Sequence, residues 1–343
     1  MKKLLKHISP LAPDDSGACS VLYELGGITV ICDAGGCAGN VCGFDEPRWF
    51  TKRSALFSAG LRDMDAILGR DALLVKKLTL ITEQVDARFT AIVGTPVPAV
   101  IATDMKALER MSEKRTGLPC LAFRTDGTRL YDCGEEMVYA RLFEQFAKEK
   151  LPVKPGRVGV LGATPLNTGE LTSERIVSAL KKQGYEDPVC FGMDSGLDDI
   201  ISASGCERLL VIAPSGVKAA RLMNERFGTP FEAGYPTGLF GEVSAGQGSR
   251  VLIMHQQFAA NALREKLEAQ GCEVTCASWF SMRPTFMREG DIQIKGEEDF
   301  CELAVNGGFD VILADEFFKR AAKGFTAKWI DLPQFAVSGR LGK

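Results

Sequence analysis

Four of the eleven cysteines, Cys19, Cys32, Cys37 and Cys42, lie between residues 19 and 42 of the 343-residue chain. Three of them stand at a C-x4-C-x4-C spacing, interleaved with Gly35, Gly36, Gly39 and Gly43. Cysteine thiolates hold iron–sulfur clusters, and glycines let the main chain come close enough to hydrogen-bond their sulfurs. Zinc competes for thiolates, and structural zinc sites typically use C-x2-4-C pairs. A glycine-rich turn with buried thiols needs no metal. The spacing leaves all three readings open. The remaining cysteines are scattered beside apolar runs, where cysteine is usually a small core residue.

A second set of polar residues follows predicted strands. Asn167 lies in "GATPLN", Asp194 in "GMDSG", Ser215 in "APSG" and His255 in "HQQ". Ligands of open α/β sheets sit beyond the strands' carboxyl ends, where helix N-termini favour anions. These four residues are expected to wall a cleft for an anionic or carboxylate-bearing ligand. His255, one of only two histidines, is the candidate proton donor, with an unperturbed pKa of about 6.5. There is no G-x-x-x-x-G-K-[ST] phosphate loop, no G-x-G-x-x-G between strand and helix, and no G-x-S-x-G elbow. Neither an ATP site nor a dinucleotide site is expected in this chain.

The elements that must position these residues follow from the hydrophobic pattern. From about residue 87, short continuous apolar runs such as "FTAIV", "RVGVL", "RLLVI", "RVLIM" and "DVILA" alternate with amphipathic stretches. Continuous apolar strands mark parallel sheets covered on both faces. Several helices are predicted to end at Gly117, Gly184, Gly228 and Gly271 in left-handed caps. The stretches 148–157 and 234–250, rich in charge and proline or in glycine and serine, suggest boundaries. The prediction is an α/β protein of three Rossmann-like parallel-sheet units around a central cleft, spanning 1–153, 154–243 and 244–343.

The same segments resemble the nitrogenase component 1 family, which includes nitrogenase subunits, their cofactor-assembly homologues and protochlorophyllide reductase subunits. Cys19 followed by "GGITVICDAGGC" is similar to the family's first cluster cysteine and its H-G-P-x-G-C turn, with Cys32 in the histidine's place. The segments 54–78, "GLPCLAFRTDG", 192–231 and "FTAKWIDLP" resemble further family stretches in the family's order. The resemblance implies an iron–sulfur cluster, of 4Fe–4S type by family precedent, on Cys19 and Cys37. It also implies a dimer, homomeric or with a related subunit, and a P-loop iron protein that hydrolyses ATP and delivers electrons.

The departures limit what is carried over. "GTPVPAV" (94–100) lacks the third cluster cysteine, so Cys32, Cys42 or Asp33 would have to complete the set. Ala213 stands where the nitrogenase cofactor's cysteine is expected, and no C-terminal histidine could pair with it, so dinitrogen reduction is not expected. The resemblance therefore implies the catalytic component of a two-component, ATP-dependent reductase that passes electrons through the cluster to a substrate in the interdomain cleft, with a scaffold that carries a metallocluster without turnover as the alternative.

Composition agrees with a folded α/β protein. With 41 basic and 44 acidic residues and no long basic run, a nucleic-acid footprint is not expected. No uncharged run approaches the roughly 20 residues of a membrane span. The chain is expected in the cytoplasm, where cysteines stay reduced.

Overall fold

The computed structural model describes residues 5–69 and 71–340. Among the described residues thirteen strands form three sheets in which every strand pair is parallel. The first sheet holds β1 (Ile28–Ile31), β2 (Ala55–Ser58), β3 (Thr90–Val93) and β4 (Cys120–Phe123), in the order β2-β1-β3-β4. The second holds β5 (Lys154–Leu161), β6 (Asp187–Cys190), β7 (Cys206–Val211) and β8 (Phe231–Ala233), in the equivalent order β6-β5-β7-β8. The third holds β9 (Arg250–Met254), β10 (Glu273–Ser278), β11 (Ile292–Gln293), β12 (Val311–Ala314) and β13 (Lys328–Asp331), in the order β11-β10-β9-β12-β13.

Each sheet therefore reverses its winding once: between β1 and β3, between β5 and β7, and between β9 and β12. Loops leaving the two strands at such a point diverge, which opens a crevice at their carboxyl ends. Cys32 and Asp33, Asn167 and Ser215, and His255 lie at these three places. The central strands β1, β3 and β12 are buried along their full length, as helices on both faces require. The expected glycine caps are present, with positive φ at Gly117, Gly184, Gly228 and Gly271.

Two helices bind the units together. Helix 131–146 lies against helix 14–22 at a crossing made close by glycine on each side. A Cβ at Gly17 would overlap the Tyr131 carbonyl, and one at Gly134 would overlap the Asp14 carbonyl. Val138, Tyr139, Leu142 and Phe143 then reach a core shared by the first and second sheets. The chain's beginning packs elsewhere. Ile8, Leu11 and Ala12 join Trp279, Phe300 and Phe318 in the core of the third unit, and Ala12 N–H donates to the Ala336 carbonyl at 2.8 Å. Glu297 accepts the backbone N–H groups of Lys6, His7 and Ile8 at 2.7–2.8 Å, which fixes this segment on the last unit.

Candidate functional site

The cysteine-rich turn lies at the switch point of the first sheet. β1 runs into Cys32 and Asp33, and the chain then turns through the left-handed Gly35 (φ 112°) into the short helix 36–40. Asp33 is fully buried and supports this turn: its carboxylate accepts the Ala38 N–H at 2.8 Å and the Ser58 hydroxyl at 2.5 Å. Thr95, just beyond β3, donates to the Cys32 carbonyl at 2.9 Å and stands beside the Cys37 thiol.

The structure divides the four cysteines. Side chains alternate across a strand, so Ile28, Val30 and Cys32 share one face of the sheet and Ile31 points to the other. Cys32 is accordingly packed with Leu74, Val75 and Ile92. Cys19 belongs to the Ile31 side, and the half-buried Cys37 and Cys42 pack against that same core. Cys32 is thus not brought beside Cys19, Cys37 and Cys42, because strand alternation outweighs sequence spacing. Burial raises all four thiols, Cys19 most strongly and Cys32 to about 12.

Asp15 was not singled out by its sequence context, yet it belongs here. Its Oδ1 is buried without a hydrogen-bond partner, and its charge acts on the thiols of Cys19 and Cys37. Burial, then the neighbouring Asp14, lifts its pKa to about 7. Three thiols and a carboxylate with one unpartnered oxygen suit the donor chemistry of an iron–sulfur cluster. Their placement in one chain does not by itself make a metal site: among the described residues no three His, Cys, Asp or Glu side chains are grouped to hold a metal ion. Phe44, Trp49 and Phe50, which follow Cys42, are exposed.

The four residues expected to wall a cleft are placed differently. Asn167 and Ser215 do meet, at the β5/β7 switch point, but both are buried and turned onto Glu135 of helix 131–146. Glu135 accepts the Thr164 hydroxyl at 2.5 Å, the Ser215 hydroxyl at 2.7 Å and the Asn167 amide at 2.8 Å. Tyr131 donates to Asn167 Oδ1 at 2.7 Å, so the amide's polar atoms are taken up internally. Burial lifts the Glu135 carboxyl to about 7 against the opposing pull of these hydrogen bonds.

His255, at the β9/β12 switch point, is also buried. Its Nε2 lies 3.2 Å from the Pro333 carbonyl, its Nδ1 has no partner, and its ring meets Phe240 edge-on. Burial pushes its pKa down to about 4, so it is neutral at physiological pH and is no ready proton donor. Asp194 stands apart on the surface. It pairs with Lys52 at 2.5 Å and accepts the Ser173 N–H at 2.6 Å. The structure thus places Asn167, Ser215 and His255 in buried internal contacts and not along an open cleft, and Asp194 apart from them on the surface.

The Lys52–Asp194 pair continues into a buried cation. Arg48 is fully buried, donates to Glu46 at 2.7 Å and Glu24 at 2.8 Å, and reaches the Ser20 and Gly192 carbonyls. Burial works against its charge, and the Glu46 and Glu24 carboxylates outweigh it, so it stays protonated. Through Gly192, Arg48 ties the cysteine-bearing segment to the second sheet.

Comparison with known proteins agrees with this architecture. A family model described as nitrogenase component 1 type oxidoreductase matches residues 17–244, and the chain belongs to that family. A curated relative, the nitrogenase iron-molybdenum cofactor biosynthesis protein NifE of Bradyrhizobium diazoefficiens, is 23% identical over 233 residues. The match covers 66% of this chain and 42% of that relative, less than half of its length. Solved structures of nitrogenase Cp1 at pH 6.5 and at pH 5 both superpose with a TM-score of 0.70. The first is 12% identical, covering 97% of this chain and 87% of the other, and the second is 14% identical, covering 100% and 88%. At that identity the likeness is one of fold. No helix among the described residues is long and apolar enough to cross a membrane.

Proposed function

We propose that this protein is a metallocluster carrier or assembly scaffold of the nitrogenase component 1 type, which holds an iron–sulfur cluster and does not turn over a substrate of its own. The observation that carries this reading is the packed state of the second and third switch points. Asn167 and Ser215 are hydrogen-bonded to Glu135 at the second, and His255 packs against Phe240 and the Pro333 carbonyl at the third, in the places where a substrate would otherwise lie. The first switch point differs in its donors, the thiols of Cys19, Cys37 and Cys42 and the Asp15 carboxylate, whose Oδ1 has no hydrogen-bond partner.

In this reading Cys19, Cys37 and Cys42 of one chain hold part of the cluster, and a second subunit, identical or related, supplies the rest across a two-fold. Cys32 has no part in it. The bound cluster would supply one-electron chemistry. The chain's own residues would fix the turn through Asp33, keep the Cys19 pocket dry and present an aromatic rim at Phe44, Trp49 and Phe50. The eleven cysteines, all free in this structure, suit a reducing compartment such as the cytoplasm.

The competing reading, an ATP-dependent reductase component fed by a P-loop iron protein, rests on the family's oxidoreductase members. Anaerobic reconstitution with iron and sulfide, followed by EPR and iron analysis, tests the cluster. Transfer of iron and sulfide to an apo-acceptor, with no substrate reduction when an iron protein and ATP are added, is the expected result. A colourless, iron-free protein after reconstitution overturns the cluster, and ATP-dependent reduction by the pair overturns the carrier.

A further inference from the structure

Helix 131–146 has a second face, turned away from Glu135. Met137, Ala140, Arg141 and Glu144 follow one another at helical spacing on that side and form the floor of a groove of about 840 Å³. Helix 105–116 and helix 217–227 make its walls, and Ala122 to Arg124, at the end of β4, close one side. The volume is that of a small-molecule site. It shares no residue with the cysteine turn or with the Glu135 network.

Its charges are unbalanced. Arg141 is held by Glu109 at 3.2 Å and Glu144 at 3.0 Å, which uses two of the three glutamates in the groove. Lys106, Arg110, Arg124, Lys218 and Arg221 remain, drawn from three separate elements and without an ion pair among the described residues. They face a single further carboxylate, Glu225. Cations brought together around a partly apolar floor repel one another unless an anion lies between them. Met137, Leu222 and Phe123 below them favour an organic body over a bare ion, and guanidinium groups stack on flat rings while pairing with carboxylate, sulfonate or phosphate oxygens.

We propose that this groove is a binding site for a small organic polyanion, a flat apolar body carrying two or more anionic groups. The inference does not depend on the cluster-carrier reading, and its test is carried out without iron. The probe is the aromatic disulfonate bis-ANS, titrated by fluorescence against the full chain. The matched neutral probe is N-phenyl-1-naphthylamine.

One saturable class of bis-ANS sites is expected, weakened at least about tenfold by the pair Arg110→Glu and Arg221→Glu and by raised salt. Lys266→Glu, on the remote surface of helix 257–268, is expected to leave it unchanged. All three side chains are exposed, so circular dichroism is expected to show intact folds. An unchanged dissociation constant in the double variant overturns the proposal and places the dye on the exposed Phe44, Trp49 and Phe50. Equal affinity for the neutral probe, or displacement by millimolar inorganic phosphate, overturns it by reducing the groove to an apolar face or a plain anion cluster. A concentration-dependent dimer in sedimentation that the double variant abolishes also overturns it, as the groove would then be a protein interface.

Discussion

Replacing Glu135 with Gln isolates a single buried proton. In the folded protein this carboxyl titrates at about 7, raised from an ordinary value of 4.5 by burial. Below pH 4.5 both folded and unfolded chains carry the proton, and the residue makes no pH-dependent difference. Between 4.5 and 7 the unfolded chain releases it while the folded protein keeps it, so stability falls as pH rises. At about 1.4 kcal/mol per pH unit, that window corresponds to about 3 kcal/mol.

Glutamine keeps the shape and some of the hydrogen bonds to Thr164, Ser215 and Asn167 but does not titrate. Its replacement therefore has a constant cost, plus a relative gain that grows with pH. Urea unfolding of both proteins from pH 4.5 to 8 is expected to show the difference moving toward the variant by about 3 kcal/mol. A difference that stays flat within about 1 kcal/mol would mean that Glu135 is already ionised or solvated in the fold and that the junction around it is not packed dry.

Further outcomes are expected elsewhere. His255 is neutral in the fold, with its pKa pushed to about 4, so its contribution is complete above pH 6.5 and lost as pH falls toward 4. His255→Asn should gain about 3 kcal/mol on wild type over that interval, read by the same unfolding series. Gly134→Ala should lower the melting temperature through a clash with the Asp14 carbonyl worth about 1–3 kcal/mol or more, whereas Gly241→Ala, which meets open space, should not. Arg48→Met strands the Glu46 and Glu24 carboxylates and should cost about 3–5 kcal/mol in denaturant unfolding. After anaerobic reconstitution, Cys19→Ser and Cys37→Ser should lose bound iron, while Cys32→Ser, on the opposite sheet face, and Cys301→Ser should keep it.

The chain's hydrophobic order by itself determined three parallel sheets, because a strand covered on both faces must be apolar along its length. "FTAIV", "RLLVI" and "DVILA" carry that mark and became β3, β7 and β12. The strands it left unmarked, β2, β8, β11 and β13, all lie at sheet edges, where one side meets solvent and the apolar run breaks. Sequence also brought the polar residues to the strand ends, since position along a βα unit is a local property. What occupies those ends is a long-range matter. Glu135 lies 80 residues from Ser215, Arg48 lies 144 from Gly192, and no local pattern records that they meet. Tertiary packing turned an expected cleft into a hydrogen-bonded core, and the two-residue period of β1 sent Cys32 away from its neighbours. Buried polar groups must find partners, and only the assembled fold decides whether those partners are ligands or the protein's own side chains.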